Sequence, residues 1–179
     1  MNETLNTLIK RRSIRKYSDK SVESEKIEEI LKAGIYAPTA SGKQSPTLVL
    51  ITNQDEINSL EKINAEIMGN PTAHPFYGSK TVILVLGDKN NSNTIYDGSL
   101  VIGNLMNAAA SLGLGSCWIH RAKEEFERDD CKALLKKWGL DGEYIGIGHV
   151  IVGYTDDPVL ADGPARKSNY IYYVKLYYL

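Results

Sequence analysis

The stretch 97–112, Asp97-Gly98-Ser99-Leu100-Val101-Ile102-Gly103-Asn104-Leu105-Met106-Asn107-Ala108-Ala109-Ala110-Ser111-Leu112, constrains the fold of this chain more than any other. Its Leu100, Val101, Leu105, Met106, Ala108, Ala109 and Leu112 spread around much of a helix, so that helix must be covered on several sides. One small sheet hardly supplies that cover, whereas a partner subunit would. With 179 residues, 42% hydrophobic and 24% charged, the chain is sized for one globular domain, and a single domain over 1–179 is expected.

The other segments alternate between helical and extended patterns. Leu5, Leu8 and Ile9 recur at the spacing of one buried helix face, with Asn2 as its cap. Ile27, Ile30, Leu31 and Ile35 mark a second helix ended by Pro38, and 55–68 a third. The apolar runs 48–52, 81–86, 116–119 and 145–153 predict strands, the second of them central. The glycines of the fourth suggest close packing or backbone approach. A further helix is expected over 123–138, a turn at Asp156-Asp157-Pro158, and β-forming residues on both faces of 170–179, which left exposed would be a hazardous edge.

Charge and motifs exclude several classes. A formal net charge of -1, from 21 Lys+Arg and 22 Asp+Glu, gives no overall attraction for nucleic acid. Cys117 and Cys131 have no clustered histidine, so neither a disulfide framework nor a metal site is expected. Met1 to Leu5 lack the start of a signal peptide, and no apolar run has the length of a membrane helix, which predicts a cytoplasmic chain without membrane contact. His74, His120 and His149 are scattered, and there is no GxSxG or Walker sequence. Gly113-Leu114-Gly115 ends a helix instead of opening one, so it is no dinucleotide fingerprint. A cofactor is therefore expected to carry any chemistry.

Four stretches remain: Arg11-Arg12-Ser13-Ile14-Arg15-Lys16-Tyr17, Ala37-Pro38-Thr39-Ala40-Ser41-Gly42-Lys43-Gln44, Gly113-Leu114-Gly115-Ser116-Cys117-Trp118-Ile119, and Gly153-Tyr154 followed by Arg166-Lys167. The first packs three forked donors and a hydroxyl into five positions, suited to a phosphate and a polar ring edge. In this order the segments resemble the short members of the nitroreductase family of FMN-dependent oxidoreductases, over nearly the whole chain. The resemblance implies an α+β fold, a central mixed β-sheet flanked by helices, and an obligate homodimer with FMN at the subunit interface. Residues 168–179 would extend onto the partner.

Carried over by position, the resemblance implies that Arg11 and Arg12 pair with the FMN phosphate and that Ser13 bonds the phosphate or ribityl region. Arg15 would lie at the N1 and C2-carbonyl edge, its charge favouring the reduced flavin. Arg166, with Lys167, would close on the phosphate, and Pro38, Thr39 and Ala40 would come from the partner chain. Trp118, Ile119 and His120 would run along the isoalloxazine, with a backbone N–H at His120 facing N5. NAD(P)H would donate hydride in a ping-pong cycle to a nitroaromatic, a quinone or a similar acceptor. The alternative is an FMN-binding storage or sensor protein. The chain departs from the family pattern at Gly42-Lys43-Gln44-Ser45-Pro46, where Asn-x-Gln-Pro-Trp is usual, and it lacks the insertion that serves larger members as a lid.

Overall fold

The computed structural model describes residues 1–156 and 163–174. Helix α1 (Glu3–Lys10) starts at Asn2, whose side-chain oxygen accepts from the Leu5 N–H at 2.9 Å. Helix α2 (Ser24–Ile35) stops before Pro38, and a 3-10 turn (Ala40–Gly42) leads into strand β1 (Pro46–Ile51). Helix α3 (Gln54–Ile67), strand β2 (Thr81–Asp88) and helix α4 (Thr94–Ser111) follow. Gly113, at φ 74, turns α4 into strand β3 (Gly115–Ile119). Helices α5 (Ala122–Glu127) and α6 (Asp129–Lys137) then precede strand β4 (Tyr144–Gly153).

The sheet order is β1-β2-β4-β3 with every neighbour antiparallel. The parallel component expected of a mixed sheet reduces, among the described residues, to one bridge between Ser13 and Ser116. Strand β2 is central, and its alternation divides the core. Val82, Leu84 and Leu86 face a cluster built with α3, α5 and α6, while Ile83 and Val85 face one built with α2 and α4. The β4 glycines do admit close approach: a Cβ at Gly146 would lie 2.1 Å from the Ala122 carbonyl oxygen, and one at Gly148 would lie 2.1 Å from Trp118 Nε1.

Two expectations are corrected. The helix over 123–138 is broken at Arg128, whose extended backbone (φ -76, ψ 146) separates α5 from α6 while its guanidinium pairs with Asp130 and Glu66. Leu5, Leu8 and Ile9 are not buried by their own chain, being 49%, 48% and 56% exposed. Residues 170–174 form no strand within the chain and are exposed. Asp157 and Pro158 of the expected turn and the end of the tail, 175–179, lie outside the described residues. Among the described residues no helix is long and apolar enough to cross a membrane.

Candidate functional site

The basic stretch becomes a strap along the edge strand. Arg11 closes α1, and the next residues run extended beside β3, with the Ile14 N–H donating to the Ser116 carbonyl at 3.0 Å. Ile14 occupies the space that a side chain at Gly115 would need, at 2.9 Å from the ideal Cβ. Tyr17 donates its hydroxyl to the Ile14 carbonyl at 2.9 Å and lies over Gly153. Burial pushes its phenol well above the ordinary value, so Tyr17 acts as a neutral clamp. The strap is thus fixed against β3 and β4, and its arginines take defined directions.

Arg12 Nη1 donates to the carbonyls of Ile9 at 2.7 Å and Arg11 at 2.8 Å. Arg12 Nε and Arg11 Nη1 are buried and meet no hydrogen-bond partner among the described residues. Two buried guanidinium donors without acceptors are costly, roughly 1–3 kcal/mol each, unless an anion meets them. They belong to residues bordering a cavity of about 290 Å³ that is also lined by Thr7, Ile14, Ala110, Gly113 and Thr155. Forked cationic donors around a space of that kind suit a phosphate.

A second cleft, about 190 Å³, unites Arg15 with Trp118, Ile119 and His120, and adds His74, Tyr77 and Arg121. The Trp118 and His120 rings stack with centroids 5.4 Å apart. Ser13, exposed, lies between the two spaces through its bridge to Ser116. Both cleft walls hang from α3. Glu61 accepts from the Phe76 N–H at 2.8 Å and lies 3.3 Å from His74 Nδ1, which holds the loop carrying His74 and Tyr77. One turn further on, Asn64 donates to the His120 carbonyl at 2.8 Å.

Behind Asn64 is a buried polar chain. Its amide nitrogen also donates to Glu125 Oε1, and its oxygen accepts from Arg121 Nε at 2.9 Å. Glu125 Oε2 lies 2.6 Å from His149 Nε2, and Asn64, Glu125 and His149 are wholly buried. The sequence reading singled out none of this set for the site. The available signal was Asn64 itself, a polar residue in register with Ile57 and Leu60 on the apolar stripe of α3.

Pro38, Thr39 and Ala40 stand elsewhere. Buried Asp97, in the first turns of α4, accepts from the Ala40 N–H at 2.9 Å and contacts Ser45 Oγ and Asn91 Nδ2 at 3.3 Å each. Asp97 to Ala110, beside the Arg11–Arg12 cavity, is about 20 Å along the helix at 1.5 Å per residue. One chain therefore does not bring Pro38, Thr39 and Ala40 to the strap. Arg166 and Lys167 are exposed on the returning tail, with Lys167 Nζ 5.2 Å from the centre of the Tyr170 ring. Gly163 leads that tail back to the Arg12 guanidinium, at 2.6 Å from its ideal Cβ to Nη2.

Two larger cavities, about 530 and 570 Å³, contain none of the expected cofactor-binding residues, though the second is lined by Ser45 and Asn91 beside Asp97. Both are lined by surface charges, among them the pair Lys89 and Glu143 at 3.5 Å, so the buried, unpartnered Arg11 Nη1 and Arg12 Nε mark the site better than cavity size. Burial pushes the Cys131 thiol up to about 12, which makes it a poor nucleophile. No group of His, Cys, Asp and Glu that could hold a metal ion occurs among the described residues.

A strap of arginines on the edge of a small antiparallel sheet, with a cleft at the end of β3, defines a class of α+β protein built around an extended cofactor. The model of the nitroreductase family matches residues 8–82 and 67–154, and the chain belongs to that family. A solved nitroreductase with bound FMN from Bacteroides fragilis is 26% identical, with a TM-score of 0.89 over 98% of this chain and 100% of that one. An FMN-dependent nitroreductase from Clostridium difficile is 28% identical, with a TM-score of 0.73 over 88% of this chain and 90% of that one. A curated relative from Archaeoglobus fulgidus, named "Putative NADH dehydrogenase/NAD(P)H nitroreductase", is 29% identical and covers 88% of either chain.

Proposed function

We propose that this protein is an FMN-dependent oxidoreductase that takes hydride from NAD(P)H and passes it to a nitroaromatic, a quinone or a similar acceptor in a ping-pong cycle. Family membership and the FMN named for the solved relatives support the class. The observation in this chain that carries the reading is the pair of buried, unpartnered donors on Arg11 and Arg12, which fit a flavin phosphate. Bound FMN would supply the hydride chemistry.

The chain's own residues would bind and tune. Arg11, Arg12 and Ser13 would hold the phosphate end, with Arg166 and Lys167 closing on it from the tail. Arg15 would place a fixed positive charge at the ring edge and favour electron gain. Trp118, Ile119 and His120 would flank the ring in the second cleft.

The site would be shared between two copies of a single domain spanning 1–179. Pro38, Thr39 and Ala40 are held at the far end of α4 from the strap, so they are available to a partner's site and not to their own. Exposed Leu8, Ile9, Ile95, Tyr96 and Leu100 supply an apolar surface for that partner, and residues 168–179 would lie across it. Two buried free cysteines fit a reducing, cytoplasmic setting.

The test is the visible spectrum of the purified protein, before and after anaerobic NADH or NADPH. Flavin bands that bleach on addition are expected. A colourless protein that cannot be reconstituted with FMN would overturn the reading, and flavin bands that persist with either nucleotide would favour a storage or sensor role.

A further inference from the structure

The cleft at the end of β3 contains a peptide whose orientation is set from behind. The His120 carbonyl is drawn inward to Asn64 Nδ2 at 2.8 Å, and Asn64 is wholly buried. The described residues contain no cis peptide bond, so the N–H of the same peptide, which belongs to Arg121, points the opposite way, out of the core. No acceptor among the described residues meets that N–H. Arg121 also has φ 80, a left-handed geometry that a side-chain-bearing residue rarely takes without compensation.

Asn64 supplies the compensation on both sides of the peptide. Its amide nitrogen holds the His120 carbonyl while its oxygen receives Arg121 Nε at 2.9 Å, so one side chain clamps two consecutive residues. Asn64 is fixed in turn by Glu125 Oε1, and Glu125 by His149 Nε2 at 2.6 Å, all within the core. A terminal amide able to rotate would not define a peptide plane. This one is bonded at both of its atoms.

We infer that Asn64 is a positioning residue that turns the 120–121 peptide so that the Arg121 N–H, and not that of His120, is presented to the cofactor in the cleft. The inference rests on the FMN reading above. An N–H donor facing flavin N5 stabilises the oxidised ring, whose N5 accepts a hydrogen bond, and not the reduced ring, whose N5 carries a proton. Asn64 therefore affects the two redox states of bound FMN differently, which a merely structural residue does not.

The test is the dissociation constant of oxidised and of dithionite-reduced FMN for wild type and Asn64→Leu. Loss of one hydrogen bond should weaken oxidised FMN about tenfold with little change for the reduced form, equivalent to a rise of ~30 mV in the two-electron potential. Asn64→Leu also leaves the Glu125 carboxylate short of a donor. Asn64→Leu/Glu125→Met removes that buried carboxyl group as well, at the cost of the His149 Nε2 contact, and should show the same shift. Leu60→Val, a core change on the same helix face, should lower stability and leave the ratio of the two constants unaltered. Equal weakening of both forms, or no change in either variant, would overturn the inference while FMN binding stands. Wild type that binds no FMN would remove the inference together with the proposed function.

Discussion

The two faces of the sheet are finished differently. On one, α3, α5 and α6 enclose Leu60, Phe76, Leu84, Ile119, Phe126 and Ile151 within the chain. On the other, α4 buries Val101, Ile102, Leu105 and Ala109 against the sheet, yet Ile95, Tyr96 and Leu100 remain exposed, as do Leu5, Leu8 and Ile9 on α1, which packs beside it. The closed face is a core. The open face leaves large apolar side chains exposed, as the proposed subunit interface would require. The proposed site draws on both: the α3 anchors Glu61 and Asn64 hold the cleft from the closed face, while the loop that would serve a partner is tied to Asp97 on α4.

Substitutions on the two faces should therefore fail differently. Gly146→Ala on the closed face would push a Cβ into the Ala122 carbonyl, 2.1 Å away, and backbone there cannot yield as a flexible side chain would. A loss of ~3 kcal/mol or more is expected in urea unfolding. Leu8→Asp/Leu100→Asp on the open face should keep the far-ultraviolet circular dichroism and convert dimer to monomer, with subunit affinity down about a hundredfold or more by sedimentation. A monomeric wild type, or a double variant that unfolds without dissociating, would break the comparison.

A subtler contrast is available at Asp97. Asp97→Ala removes the acceptor of the half-buried Ala40 N–H, and a loss of ~1 kcal/mol is expected from that unsatisfied donor. Because the loop would serve the partner's site, FMN affinity should fall with it even though the strap is untouched. Normal FMN affinity in a destabilised Asp97→Ala dimer would detach the loop from the cofactor.

The smallest effect concerns the closure of the strap's far end. The Tyr154 hydroxyl donates to Glu23 Oε2 at 2.6 Å and holds the Glu23 carboxyl down at about 2, from an ordinary 4.5. A carboxyl depressed in the folded state adds stability above its unfolded value, and that contribution disappears as pH falls from about 4.5 through about 2. The melting temperature should fall slightly across that window, and Tyr154→Phe should flatten the part due to Glu23. An unchanged slope would show that the bond does not link the two segments in solution.

Much of this was legible in the sequence because it is local. The β-branched run at 81–86 could only be a central strand, Asn2 and Gly113 mark their helix ends, and three arginines in five positions announce a forked donor set. The break between α5 and α6 was not legible, since apolar periodicity does not mark Arg128, whose guanidinium meets both Asp130, two residues on, and Glu66, far away in sequence. Periodicity identified the apolar face of α1 but not what covers it, because a stripe looks the same whether its own chain or another buries it. Asn64 and Asp97 were overlooked for a related reason. Asn64 is one of many polar residues on α3 and Asp97 a polar residue at the start of the apolar α4, and only the fold shows that Asn64 faces the His120 carbonyl and Asp97 the Ala40 N–H.

The central claim is that each cofactor site takes the strap from one chain and the 38–40 loop from another. It is tested by mixing two variants, Arg11→Ala/Arg12→Ala and Pro38→Asp/Thr39→Asp, each expected to bind FMN poorly alone. After subunit exchange the account predicts that about a quarter of the sites bind FMN normally, since half of the dimers are mixed and each mixed dimer holds one site intact in both parts. No recovery on mixing, with exchange confirmed by mass spectrometry of the dimers, would show that the site is built within one chain and contradict the account.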